Sequence, residues 1–245
     1  MSQATFRFYA ELNDFLPKNR RFSAFTAAFE LPASVKHMIE ALGVPHAEVD
    51  LILVNGEPVD FSYIVEDGDR ISVYPVFEAL DITPLARLRP EPLRSPRFVL
   101  DAHLGRLAVY LRMLGFDTLY RNNYDDLELA VVSSQENRIL LTRDLGLLKR
   151  SLVSRGYYVR AQDPRQQARE VVRRFDLRRA FKPFSRCLRC NGLLEPAPEE
   201  DVAEQLLPGT QQHYHEFFRC RSCGQAYWKG AHYQRLVRLI ESISE

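Results

Sequence analysis

Residues 97–150 read RFVLDAHLGRLAVYLRMLGFDTLYRNNYDDLELAVVSSQENRILLTRDLGLLKR, and this stretch decides the fold. FVLD (98–101) and RILLT (138–142) are near-continuous apolar runs, the pattern of strands buried on both faces. Between them Leu104, Leu107, Ala108, Leu111 and Leu114 recur at helical spacing, and Gly115 closes the run. DTLY (117–120) and YYVR (157–160) are weaker strands, while 126–136 and 165–175 read as further helices. This β-α-β-α order predicts a parallel α/β sheet over 97–182.

Four acids fall where such sheets put their chemistry, at or beyond strand C-termini. Asp101 ends the first run, and Asp144 follows the second in Thr142-Arg143-Asp144. Asp126 opens a helix, with Asp125 before it and Glu128 after it, and Asp163 lies just beyond YYVR. If the strands are parallel and adjacent, these ends gather at one edge. Clustered carboxylates repel unless a cation neutralises them, and oxygen ligands suit Mg²⁺ or Mn²⁺. Such ions ready a water and stabilise a phosphate leaving oxygen. Each acid taken alone also fits a helix N-cap.

Charge separates the middle of the chain from its flanks. Residues 97–182 hold 17 Lys and Arg against 10 Asp and Glu, whereas 1–90 hold 8 against 13. A basic middle points to a polyanion partner, RNA or DNA first. Arg106, Arg112, Lys149 and Arg150 are its candidate phosphate contacts.

Residues 183–245 carry Cys187-Leu188-Arg189-Cys190 and Cys220-Arg221-Ser222-Cys223. Each C-x-x-C sets two thiolates on one tight turn, and two turns complete a tetrahedral set, so one structural zinc is expected. A thioredoxin-like redox pair would open a helix in a βαβ unit, and neither pair does. Four sulfurs leave no open position for water, so this metal is not catalytic. His213, His215 and His232 read as ordinary polar residues rather than ligands.

Upstream, TFRFYAEL places Phe6, Phe8, Ala10 and Leu12 on one face of a strand. SVKHMIEAL (34–42) reads as a short helix with Ser34 as N-cap and Gly43 as stop. LILVNGEPV and DRISVYPVF add strands, with turns at Asn55-Gly56 and Asp67-Gly68. Strands around one helix over 1–82 predict a β-grasp domain, and the segment resembles the ubiquitin-like family that includes sulfur carriers. Those carriers end in Gly-Gly, whereas this segment runs on as Phe77-Glu78-Ala79-Leu80-Asp81. It therefore reads as a docking or stabilising module, open to a protein partner. Residues 83–96, within the Pro-rich run TPLARLRPEPLRSPR, read as an extended linker.

A chain of 245 residues, 46% apolar and 27% charged, with 11 Gly and 14 Pro, excludes collagen-like and largely disordered classes. No apolar run approaches the roughly 20 residues of a membrane span, so no membrane partner is expected. MSQATFRFYAELNDF lacks a charged region feeding an apolar run, and a cytoplasmic location is expected.

Four motifs in order, LDAHLGRLAVYLRMLGFDTLYRNNYDD, NRILLTRDLGLLKR, RCLRCNGLL and FFRCRSCGQAYWKGAHY, closely resemble the Mut-seven C-terminal RNase family. That family is a branch of the PIN-domain nucleases with a zinc ribbon, here 183–245, and a ubiquitin-like domain often precedes it. The resemblance implies a PIN-like fold for 97–182 and metal-dependent endoribonuclease activity. By the same resemblance Asp101, Asp126 and Asp144 hold the Mg²⁺ or Mn²⁺, and Asp163 is a weaker match for a fourth acid. Thr142 and Arg143 support that cluster, Arg143 by steering phosphate. His103, often apolar in the family, reads as a partly exposed helix residue. The alternative is a non-catalytic RNA- or ribosome-binding module whose acids are relics or caps.

Overall fold

The computed structural model describes residues 1–30, 32–75, 88, 96–206, 213–230 and 233–244. Nearly all of the expected linker 83–96, residues 207–212 and His232 lie outside the described residues. The chain divides into two compact units, each built from two stretches. One joins Met1–Ser95 to Asp126–Tyr158, and the other joins Pro96–Asp125 to Val159–Glu245.

In the first unit β1 (Ser2–Phe8) lies antiparallel to β2 (Phe25–Phe29) and parallel to β5 (Arg70–Pro75). Beyond β5 come β3 (Val49–Val54) and β4 (Glu57–Val59), giving the order β2-β1-β5-β3-β4. Helix α1 (Val35–Ala41) starts where Ser34 Oγ accepts from His37 N at 3.2 Å. Phe6, Phe8, Val35, Ile39, Ile52 and Val73 are fully buried in the shared core. This mixed sheet around one helix is the expected β-grasp arrangement. The first strand stops at Phe8 instead of running through Leu12. Asn13 Nδ2 donates to the carbonyls of Phe8 and Ala10, at 2.9 and 3.0 Å, and draws the chain into a 3-10 turn that still buries Leu12.

The same unit holds α3 (Asp126–Gln135), β8 (Ile139–Thr142), the one-turn α4 (Leu145–Leu148) and β9 (Gly156–Tyr158). Strands β8 and β9 are parallel, with Leu141 opposite Tyr157. All four residues of β8 are buried, as its apolar run requires. A Cβ on Gly156 would come 2.4 Å from Leu148 Cδ2 and 3.4 Å from Ala47 Cβ. A side chain there would push on Leu148, whereas Ala47 of the β-grasp part stands at ordinary contact distance.

In the second unit β6 (Phe98–Leu100) pairs parallel with β7 (Thr118–Tyr120), connected through α2 (Gly105–Met113). Helix α5 (Pro164–Arg174) packs on α2 and on α6 (Tyr233–Ser244). Its apolar residues Ala168, Val171 and Val172 are buried, and Arg165, Arg169 and Arg173 are exposed. Strands β10 (Leu194–Ala197), β11 (Phe217–Cys220) and β12 (Ala226–Trp228) form an antiparallel three-stranded ribbon.

Candidate functional site

The four cysteines converge in the second unit. All four sulfurs lie within 4.8 Å of one another, and no other metal-sized group of three or more His, Cys, Asp or Glu is found among the described residues. Cys187 Sγ stands 3.6 Å from Cys223 Sγ, and Cys190 Sγ stands 3.4 Å from Cys220 Sγ. A tetrahedral zinc with bonds of about 2.3 Å would set sulfurs about 3.8 Å apart, so little movement is needed to close the cage. Backbone amides already point at sulfur: Cys190 N at Cys187 Sγ and Ser222 N at Cys220 Sγ. A Cβ on Gly192 would meet Cys220 Sγ at 2.8 Å, so only glycine passes this close to the cage.

Protonation follows from crowding. Burial pushes the Cys190 thiol up to about 12 and raises Cys223 as well. Burial would also raise Cys187, but the Tyr227 hydroxyl and neighbouring amides outweigh it and bring it to about 7. Tyr227 Oη donates to Cys187 Sγ at 3.1 Å and accepts from Leu188 N at 3.1 Å, and burial raises its own pKa. The Cys187 thiolate forms readily while Cys190 and Cys223 resist. A divalent cation supplies the charge that lets all four ionise, and the set could hold a structural metal such as zinc.

The first knuckle is built into the surrounding unit. Arg112 of α2 is 4% exposed. Its Nη1 donates to the carbonyls of Leu188 and Arg189, at 3.1 and 3.0 Å, and its Nε donates to Thr118 O at 2.9 Å. Burial draws its pKa down, offset by Cys187, Cys190 and Asp117. Asn191 completes the seam, accepting from Thr118 N at 2.9 Å and donating to Asp117 Oδ1 at 2.8 Å. The expectation that Arg112 contacts phosphate is therefore corrected, since its guanidinium is spent on carbonyls inside the protein. The apolar stripe held the signal: Arg112 lies four residues after Ala108, on the buried side. Asn191 carried no comparable signal. His213 and His215 are exposed.

Each acid stands at an element boundary. In the first unit, Asp144 directly follows the strand β8 and Arg143, and it caps α4. Its Oδ1 accepts from Gly146 N at 2.6 Å and Leu147 N at 3.3 Å, and its own amide donates to Thr142 Oγ1 at 3.0 Å. Asp126 opens α3, and its Oδ2 accepts from Arg150 Nη2 at 3.0 Å. Both partners are about half exposed, so this pair adds less than about 1 kcal/mol. In the second unit, Asp101 follows β6 half-buried, at the mouth of a 3-10 turn that its side chain does not cap. Asp163 caps α5, its Oδ1 accepting from Arg165 N at 3.0 Å and Gln166 N at 3.1 Å.

Among the basic candidates, Arg106 and Arg150 are exposed and Arg143 is half-buried. Lys149 turns inward, and its Nζ donates to Glu40 O at 2.9 Å. Sequence reasoning also passed over Glu48, whose buried Oε1 accepts from Tyr158 N at 2.6 Å. A contact between residues 110 positions apart leaves no local trace.

A β-grasp domain, parallel β-α-β stretches with acids at their ends, and a four-cysteine ribbon define a composite α/β protein with a ubiquitin-like part. The chain belongs to the Mut7-C RNAse family: residues 96–240 match the Mut7-C RNAse domain and residues 1–81 match the Mut7-C ubiquitin domain. Among solved structures it is similar to the small archaeal modifier protein 1 of H. volcanii, at 16% identity and a TM-score of 0.26. That match covers 31% of this chain and 100% of the other. No curated protein matches the chain. Among the described residues, no helix is long and apolar enough to cross a membrane.

Proposed function

We propose that this protein is a metal-dependent endoribonuclease with a PIN-like catalytic part. Asp101, Asp126 and Asp144 do not by themselves form a metal-sized group, so Mg²⁺ or Mn²⁺ would draw them together on binding, with Asp163 at the margin of the set. The observation that carries the reading is Asp144 itself. It stands two residues beyond a fully buried strand inside the matched RNase region, and its Oδ1 takes both capping bonds while Oδ2 takes part in neither. Its position is thus fixed by the backbone, and one oxygen is left to face a ligand. A divalent cation, when bound, would neutralise the acids and ready a water against the phosphodiester. Arg150 orients Asp126 through their ion pair, and a phosphate arriving nearby would compete for the same guanidinium. Arg106 and Arg143 would steer RNA by its backbone rather than by base identity. The zinc held by the four cysteines would be structural.

The test replaces the acids without disturbing the fold. Asparagine caps helices about as well as aspartate. Asp144→Asn therefore keeps its cap and Asp101→Asn has none to lose, so both should keep the parent melting temperature while losing RNA cleavage in Mg²⁺ and in Mn²⁺. Cleavage at parent rates by both variants would place the chemistry elsewhere.

A further inference from the structure

We propose that the ubiquitin-like part is a resident clamp on the loop carrying Asp144, with Glu48 and Lys149 as its positioning residues. The inference rests on Asp144 acting as proposed above. Two ties hold the elements around that loop. Glu48 sits in a 3-10 turn between α1 and β3, is 1% exposed, and accepts the amide of Tyr158 at 2.6 Å. Tyr158 ends β9, the parallel neighbour of β8, and β8 delivers the chain to Arg143 and Asp144. Lys149 follows α4 directly, so Asp144 and Lys149 bracket the same single turn of helix. Lys149 Nζ donates to Glu40 O, a carbonyl near the C-terminus of α1, where a cation complements the helix dipole.

Shape agrees with these bonds. The Phe15 ring meets the Tyr158 ring edge-on at 6.1 Å, and Ala47 abuts the space that a Cβ on Gly156 would need. A ubiquitin-like module swinging on a linker would keep an acid such as Glu48 in water, because a buried carboxylate without donors is costly. Here the acid is buried and its donor is an amide of the nuclease stretch. The β-grasp part is thereby committed in cis, which is the stabilising half of the docking-or-stabilising expectation. Its removal would strip the support from under β8, α4 and β9.

Amide hydrogen exchange on the full chain tests this without reference to catalysis. In Glu48→Ala and Lys149→Met, the amides of residues 140–148 and of Tyr158 should exchange about tenfold faster than in the parent. Glu48→Gln keeps an acceptor oxygen and should restore parental protection. Protection within β1 and β5 should be unchanged throughout, and if Glu48→Ala loses it, Lys149→Met decides. In cleavage assays with Mn²⁺, Lys149→Met should lower kcat about tenfold while KM for RNA moves less than about twofold, unlike the loss of a phosphate contact. Parental exchange in both variants, or faster cleavage on loosening, would overturn the clamp. If the parent cleaves no RNA with any divalent metal, the nuclease reading fails, and the exchange result still decides whether the clamp exists.

Discussion

Arg112 shows how much one side chain organises. A buried guanidinium must find acceptors, and this one finds three carbonyls, two of them inside the Cys187–Cys190 knuckle. Arg112→Met keeps the volume but strands those carbonyls, which should cost about 2–4 kcal/mol. Chemical denaturation of the metal-loaded protein measures it, and a variant as stable as the parent would show the bonds to be incidental. The variant's affinity for RNA, measured while folded, should stay at the parent value. At this scale the sequence was readable where chemistry is local. Ser34 caps α1, and the four cysteines meet as their spacing requires. It misled at Arg112, where a positive charge within a basic region suggested phosphate although the helical stripe placed the residue inside.

The elements were legible in proportion to the regularity of their patterns. The buried runs 98–100 and 139–142 became strands, and the spacing from Leu104 to Leu114 became α2. Strand β2 escaped because FTAAF offers small alanines instead of an apolar alternation, and α4 because a single turn has no period to detect. The ribbon is the element most dependent on something besides its own packing. Its apolar cluster of Val202, Phe217 and Ala226 is small, with Trp228 packed partly against it. Metal binding should supply much of its folding energy. Elemental analysis should find one zinc per chain, and a strong chelator should shift the emission of Trp228, the sole tryptophan, toward that of exposed indole. Because Arg112 and Asn191 fasten the knuckle to α2 and β7, chelation should also raise amide exchange at Thr118. Zinc-free protein with parental emission and exchange would refute a structural metal.

For the whole molecule, charge and the interleaving of the chain matter most. The basic middle was visible from composition alone, and it should bind RNA with an affinity that falls more than about tenfold between 50 and 200 mM salt. Filter binding with Asp144→Asn, which should hold RNA without cutting it, would measure this. A flat salt profile would make Arg106, Arg143 and Arg150 ordinary surface residues. What composition could not convey is that Met1–Ser95 and Asp126–Tyr158 form one compact unit, because the Glu48 and Lys149 contacts join residues more than a hundred positions apart. The nuclease reading itself is decided by a single assay. Full-length protein carrying its zinc is freed of Mg²⁺ and Mn²⁺ and mixed with an end-labelled RNA, and Mn²⁺ is then titrated in. Internal cuts that appear only with the added metal, and that Asp144→Asn does not make at any concentration, are the expected result. An RNA left intact across the titration, or cut equally by Asp144→Asn, would contradict it.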